Sequence, residues 1–157
     1  MIWQSWAALM LAAAAVSANE QPVDPYAESD TNAAAQPFKG NAMWHAFHEA
    51  DGVSRVVDET VELSISDPRI SDIFRNRDLV RLRRTLKEQF CYILNGGCHY
   101  TGRTMHAAHK DMGVQTADVG AFVEHLQTAM RHEHISFRAQ NRFLAKIAPM
   151  KRIVVKQ

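Results

Sequence analysis

Between Leu79 and Ile93 the apolar residues Leu79, Leu82, Leu86, Phe90 and Ile93 recur at spacings of three and four, with Arg81, Arg83, Arg84, Lys87 and Glu88 among them. This is the period of an amphipathic helix with one face turned inward and the charges on the wet side. Asp78 stands ahead of it as an N-cap, and Asn95-Gly96-Gly97 follows, where a left-handed residue ends a helix at little cost. Upstream, Val53, Val56, Val57, Thr60, Val61 and Ser64 fall on one helical face. Their β-branched side chains suit a strand as well, and the periodicity favours a helix. In SDPRISDIF, Asp67 as N-cap and Pro68 as first helical residue predict a short turn presenting Ile70, Ile73 and Phe74. Downstream, a short helix is expected from about Arg103 to Met112, stopped by Gly113. Thr116 caps a helix carrying Val119, Phe122, Val123, Leu126 and Met130. Ser136 caps the last, which turns Phe137, Phe143, Leu144 and Ile147 inward until Pro149 kinks or ends it. No strand pair or repeat interrupts the series, so the fold class is all-α, with about six helices of unequal length.

The ends of the chain follow other rules. The apolar run from Trp6 to Val16 is too short to span a bilayer comfortably, and Val16 and Ala18 occupy the small-residue positions of a signal-peptidase site. Residues 1–18 therefore read as a signal peptide, with an uncleaved N-terminal membrane anchor as the alternative, since no Lys or Arg precedes the run. The localisation expected from this is periplasmic or secreted, and membrane association would run through the N-terminus only. Residues 19–40 are rich in Pro, Ala, Asn and acidic residues without apolar period, which predicts a disordered linker. Residues 41–157 then form one domain, long enough to bury a core without disulfide support. With 18 basic against 17 acidic residues there is no electrostatic footprint for nucleic acid.

Eight histidines are the polar residues in excess, and three of them, His99, His106 and His109, fall in NGGCHYTGRTMHAAHKDMG. Imidazole is the commonest metal ligand, yet most histidines bind nothing. Residues alone leave three readings open. The histidines are surface groups; or they form a zinc or copper site, although the second Cys/His cluster of a structural zinc site is missing; or one neutral imidazole faces an apolar cavity of the kind a haem requires. Met105, Ala108, Met112 and Val114 around His109 would supply one wall of such a cavity, and the stripe ending in Phe90 the other.

The run YTGRTMHAAHKDMGV, preceded by Gly96-Gly97, resembles the proximal-helix region of the group I truncated haemoglobins, matching at Tyr100, Gly102, Met105, His109, Met112 and Val114. The resemblance extends back through Asp67-Pro68-Arg69-Ile70, Phe74 and Asp78, and forward through Phe122, His125-Leu126 and Ala148-Pro149-Met150. It covers residues 43 to 155. It implies a two-over-two helical sandwich around one haem b, with His109 as the iron ligand. Phe74 falls on a haem-packing position, Leu82 and Leu86 on the distal helix, and Phe90 one turn further. Val61, Met105, Val114 and Phe122 complete the expected cofactor contacts. Arg83, Arg84, Thr85 and Arg103 are candidates for the haem propionates, although a solvated face is the default reading for any one of them.

Departures from the family pattern bear on function. Thr60-Val61 stands where many members have a Phe-Tyr pair whose tyrosine hydrogen-bonds dioxygen, and Leu86 stands where a distal glutamine would be. A donor in a dry pocket stabilises the partial negative charge of bound dioxygen, so its absence predicts fast dioxygen release and ready autoxidation. Thr60 turning inward, or an arginine of the Arg83-Arg84 pair swinging over the haem, would change that expectation. An early Gly-Gly turn is replaced by His48-Glu49, and Trp44 takes a common tyrosine position as a packing residue. Cys91 and Cys98 bracket the Gly-Gly turn and leave two readings, a disulfide or two buried thiols. The resemblance thus implies reversible binding of dioxygen, nitric oxide and carbon monoxide at a five-coordinate iron. Nitric oxide dioxygenation or peroxidase chemistry would need an electron donor that the chain does not contain, and a sensing or redox role suits the apolar distal side. The alternative outside this class is a haem-free zinc- or copper-binding helical module built on His99, His106 and His109.

Overall fold

The computed structural model describes residues 19–155, and the expected signal segment, 1–18, lies outside them. The described residues contain helices and no strand. Helix α1 (Ala42–Ala46) leads into α2 (Glu49–Ser66), the centre of the core. The valine face predicted from the pattern is what α2 buries, packed against α6 (Thr116–His132) on one side and α4 (Leu79–Ile93) on the other. Helix α3 (Ser71–Phe74) bridges α2 and α4, while α5 (Met105–His109), α7 (Phe137–Ile147) and α8 (Lys151–Val154) complete the series. Phe143 of α7 joins the layers, its ring centroid 5.0 Å from that of Phe47 and 4.8 Å from that of Phe90.

The corner between α1 and α2 keeps a glycine-like backbone without glycine. His48 and Glu49 have φ of 58° and 59°, a region in which an L side chain crowds the following carbonyl. The turn is so tight that Gly52 admits no side chain: a Cβ there would lie against the Phe47 carbonyl and 2.7 Å from the His48 Cβ. The predicted loss of the early Gly-Gly turn is thus a loss of glycines only.

Helix boundaries shift where side chains outbid the sequence signals. Asp67 caps the turn that opens at Pro68 as expected, its carboxylate accepting from the Arg69 backbone N–H at 2.9 Å and its carbonyl from the Ile70 N–H at 3.0 Å, and the regular helix α3 follows from Ser71. Helix α5 is confined to five residues because Thr104 caps it, its hydroxyl accepting from the Ala107 N–H at 3.1 Å. Gln115, not Thr116, is the N-cap of α6, with the Asp118 carboxylate accepting from the Gln115 N–H at 2.7 Å. Asp78 and Ser136 cap α4 and α7 as expected. Pro149 redirects the chain through a 3-10 turn, Ala148–Met150, into α8, which packs beside α5.

Residues 19–40 differ from the disordered linker expected of them. The segment runs along the folded body and enters a 3-10 turn, Asp30–Ala33, whose Ala33 packs under Tyr100 and Met105. Phe38 N–H donates to the Ile93 carbonyl at 2.8 Å, and the Asp30 carboxylate accepts from the Tyr100 N–H at 2.8 Å. Each anchor is a single residue meeting a partner tens of positions away, and isolated anchors leave no period to detect.

Cys91 and Cys98 form a disulfide with their Cα atoms 5.7 Å apart, tying the last turn of α4 to the loop that leads to α5. Within that loop Asn95 and Gly97 take the left-handed conformation, at φ 63° and 83°. Gly96 lies under the Trp44 ring, which would sit 2.7 Å from a Cβ placed there, so the tryptophan packs as expected.

Candidate functional site

A cavity of about 560 Å³ opens between α4 on one side and α5 with the start of α6 on the other, and α3 and α8 close its ends. Its volume lies in the range of cofactor sites. Phe74, Leu82, Leu86, Phe90, Met105, His109, Val114 and Phe122, all singled out from the sequence, line it together. Val61 does not: it is fully enclosed in the core beside α4, and the apolar surface on that side comes from Leu82 and Leu86.

His109 closes the last turn of α5. Its Nδ1 lies 2.8 Å from the Met105 carbonyl oxygen, which can only accept, so Nδ1 carries the proton and Nε2 keeps its lone pair. Burial pushes the imidazole below the ordinary histidine pKa, against the opposing pull of the Met105 carbonyl. A neutral ring with its second nitrogen fixed by hydrogen bonding is the form in which histidine binds metals. The short helix is held in place by Tyr100, whose hydroxyl donates to the Arg103 carbonyl at 3.1 Å across Gly102. A Cβ at Gly102 would penetrate the Tyr100 ring, 2.7 Å from Cε2, which is the physical content of the Tyr-x-Gly spacing. Burial also raises the pKa of the Tyr100 hydroxyl well beyond that of an exposed tyrosine, so it remains a donor.

Opposite, no side-chain donor reaches in from the positions considered for it. The Thr60 hydroxyl donates to the Val56 carbonyl at 2.7 Å within α2. Arg83 is held by the Asp58 carbonyl and carboxylate and by Glu62, and Arg84 by Glu20, Glu88 and Thr101. Neither arginine lines the cavity, so both drop out as propionate candidates, whereas Thr85 and Arg103 do line it. The Thr85 hydroxyl is turned back onto the Arg81 carbonyl at 2.9 Å.

The group missed in the sequence is Arg81, placed there on the wet side. It lines the rim, and its Nε is buried without a hydrogen-bond partner, 3.8 Å from the Asp78 carboxylate and so too far to bond. A signal existed: Arg81, Thr85 and Gln89 repeat at i, i+4, i+8 alongside the apolar stripe, so the same face of α4 carries a polar edge. An apolar slot, a neutral imidazole with an open Nε2 and an orphaned guanidinium nitrogen at the rim together fit a flat apolar macrocycle with acidic side arms and a central metal.

The three histidines of the opening motif do not converge. His99 is exposed, with its Nδ1 3.1 Å from the Asp30 carboxylate, and His106 is exposed and does not line the cavity. Among the described residues no group of three His, Cys, Asp or Glu side chains is placed to hold a metal ion, which removes the zinc or copper module. One buried row, Ser64, His125 and Asp67, has the residue types of a hydrolase triad, with contacts of 3.0 and 2.9 Å. Ser64 directs its hydroxyl to the Thr60 carbonyl at 2.8 Å and has no exposed surface, so the row ties α2 to α6 and does no chemistry.

A model of the bacterial-like globins matches residues 44–156. The chain belongs to that family, and its relatives are group 1 truncated haemoglobins. That of Tetrahymena thermophila is 26% identical over 72 residues, 46% of this chain and 60% of the relative. That of Chlamydomonas moewusii is 30% identical over 83 residues, 52% of this chain and 45% of the relative. The matched stretches thus span about half the length of these relatives. Among solved structures, the Fe(III) truncated haemoglobin of Tetrahymena pyriformis superposes with a TM-score of 0.69 at 19% identity, over 72% of this chain and 97% of that one. The 2/2 haemoglobin of Synechococcus, solved in the cyanomet state with covalently attached haem, gives 0.68 at 20%, over 73% and 98%. The fold is the two-over-two helical sandwich.

Proposed function

We propose that the protein is a haem-binding truncated globin that takes up diatomic gases, with haem b in the cavity and His109 as its iron ligand. The observation that carries this reading is His109 itself, a neutral imidazole with its Nδ1 bonded to the Met105 carbonyl, set in the wall of an apolar cavity. Haem bound there supplies an iron that takes dioxygen, nitric oxide or carbon monoxide and cycles between two oxidation states. The protein's own part is to orient His109, exclude water with Phe74, Leu82, Leu86 and Phe90, and offer Arg81 and Arg103 to the acidic side arms. That Thr60, Arg83 and Arg84 offer no donor to the cavity favours rapid exchange of dioxygen over storage, which suits redox turnover with an external electron donor, nitric oxide removal or sensing. The apolar run before Asn19 supports export, and a disulfide at Cys91–Cys98 suits an oxidising compartment.

The test is optical. Protein expressed with haem supply should carry a Soret band that His109→Ala removes and His106→Ala leaves unchanged. A band that persists in both variants would reassign the ligand. Intact mass of the exported protein should correspond to a chain beginning at Asn19.

A further inference from the structure

The stretch from Glu20 to Ala33 lies ahead of the family match, and it crosses the basic rim of the cavity. Its attachments are specific. The Glu20 carboxylate pairs with Arg84, Nη2 at 3.0 Å, and with Arg81, Nη2 at 3.3 Å, and its side chain has no exposed surface. The Gln21 N–H donates to the Asp78 carboxylate at 2.7 Å, and its carbonyl accepts from Arg81 Nη2 at 2.8 Å. Further along, the Tyr26 hydroxyl donates to the Thr101 carbonyl at 2.6 Å and the Asn32 amide to the Gly102 carbonyl at 3.2 Å. Between these ties Val23 and Tyr26 line the cavity, and the Arg103 guanidinium lies over the Tyr26 ring, 5.3 Å from its centroid.

Arg81 is where the two halves meet. The segment engages its Nη2 through Glu20 and Gln21, while its buried Nε has no hydrogen-bond partner. A guanidinium held along one edge keeps its positive charge in a fixed place at the rim of the cavity, which suits it to a carboxylate bound there.

We propose that Glu20 to Ala33 form a strap that retains the haem: Glu20 and the Gln21 carbonyl position Arg81 toward a propionate, and Val23 and Tyr26 seal the open edge. The proposal rests on the haem-binding reading above. Haem leaves through the edge the strap covers, so the strap acts on the rate of loss.

Haem transfer from the full-length, haem-loaded protein to excess apomyoglobin, followed at the Soret band, tests this. Glu20→Gln should speed loss by about tenfold, as expected for losing a hydrogen bond between charged groups. Glu20→Asp, which keeps the charge, should fall between Glu20→Gln and wild type, and Tyr26→Ala should also speed loss. Glu133→Gln breaks a comparable carboxylate–arginine pair away from the cavity, with Arg55, and should leave the rate at the wild-type value. Hydrogen exchange over residues 20–33 should be slower in the haem-loaded chain than in the haem-free chain. Wild-type rates in both Glu20→Gln and Tyr26→Ala, or equal protection with and without haem, would overturn the strap while leaving haem binding intact. A wild-type chain with no Soret band would overturn both.

Discussion

The apolar distal wall makes a quantitative claim that Leu86→Gln tests. Leu86 lines the cavity from α4, while the side chains considered as donors are engaged elsewhere: Thr60 with the Val56 carbonyl, Thr85 with the Arg81 carbonyl, Arg83 with Asp58 and Glu62. A glutamine amide at this position would add a hydrogen-bond donor to the wall of a largely apolar cavity. A hydrogen bond to a charge-bearing partner in such a site contributes about 1.5–3 kcal/mol. At about 1.4 kcal/mol per factor of ten, dioxygen release should slow by roughly ten- to a hundredfold. The ligand-free variant should be less stable by about 1–3 kcal/mol, because the amide is then buried without a partner. Stopped-flow displacement of dioxygen from the ferrous protein measures the rate, and Leu86→Met, similar in volume but without a donor, is the control. An unchanged rate in Leu86→Gln would refute the reasoning. So would a wild-type rate already as slow as that of the glutamine variant, since it would require a donor that the described residues do not place there.

Glu49→Gly should raise stability by about 0.5 kcal/mol in denaturant melts, since relief of a left-handed φ of 59° outweighs the extra unfolded-state entropy of glycine; a comparable loss would contradict this. Cys98→Ser should cost about 2 kcal/mol, the chain-entropy value for a closed loop with a sequence separation of 7, and should abolish any response of the melt to reductant. Glu133 is held at a pKa of about 2 by its bond to Arg55, against 4.5 for an ordinary glutamate. Because the folded value is the lower, this stabilisation is complete above pH 4.5 and drains away as pH falls toward about 2, so Glu133→Gln should flatten acid unfolding in that window.

Much of the site was legible because it lies on regular helices. Leu82, Leu86 and Phe90 share a face at i+4 spacing, and His109 follows Met105 by the same interval, so placing the helices placed the side chains. Val61 shows where this reasoning stops. Helical period assigns a residue to the buried face of α2, but whether that face meets a neighbour or a cavity depends on how closely α4 packs against it. Arg81 failed in the other direction. One position from Leu82 it reads as solvated, yet the rim of the cavity and the strap meet at its guanidinium.

By itself the sequence determined the helices, the apolar stripes, the caps at Asp78 and Ser136 and the singular position of His109, because these depend on neighbours within a turn or two of the chain. Tertiary structure alone decided that Arg83 and Arg84 are engaged elsewhere, that the three histidines diverge, and that Glu20 to Ala33 lie across the cavity. Those outcomes depend on pairs such as Glu20 with Arg84 and Asp30 with Tyr100, far apart in the chain. Such pairs carry no local period, and the space between packed helices brings them together.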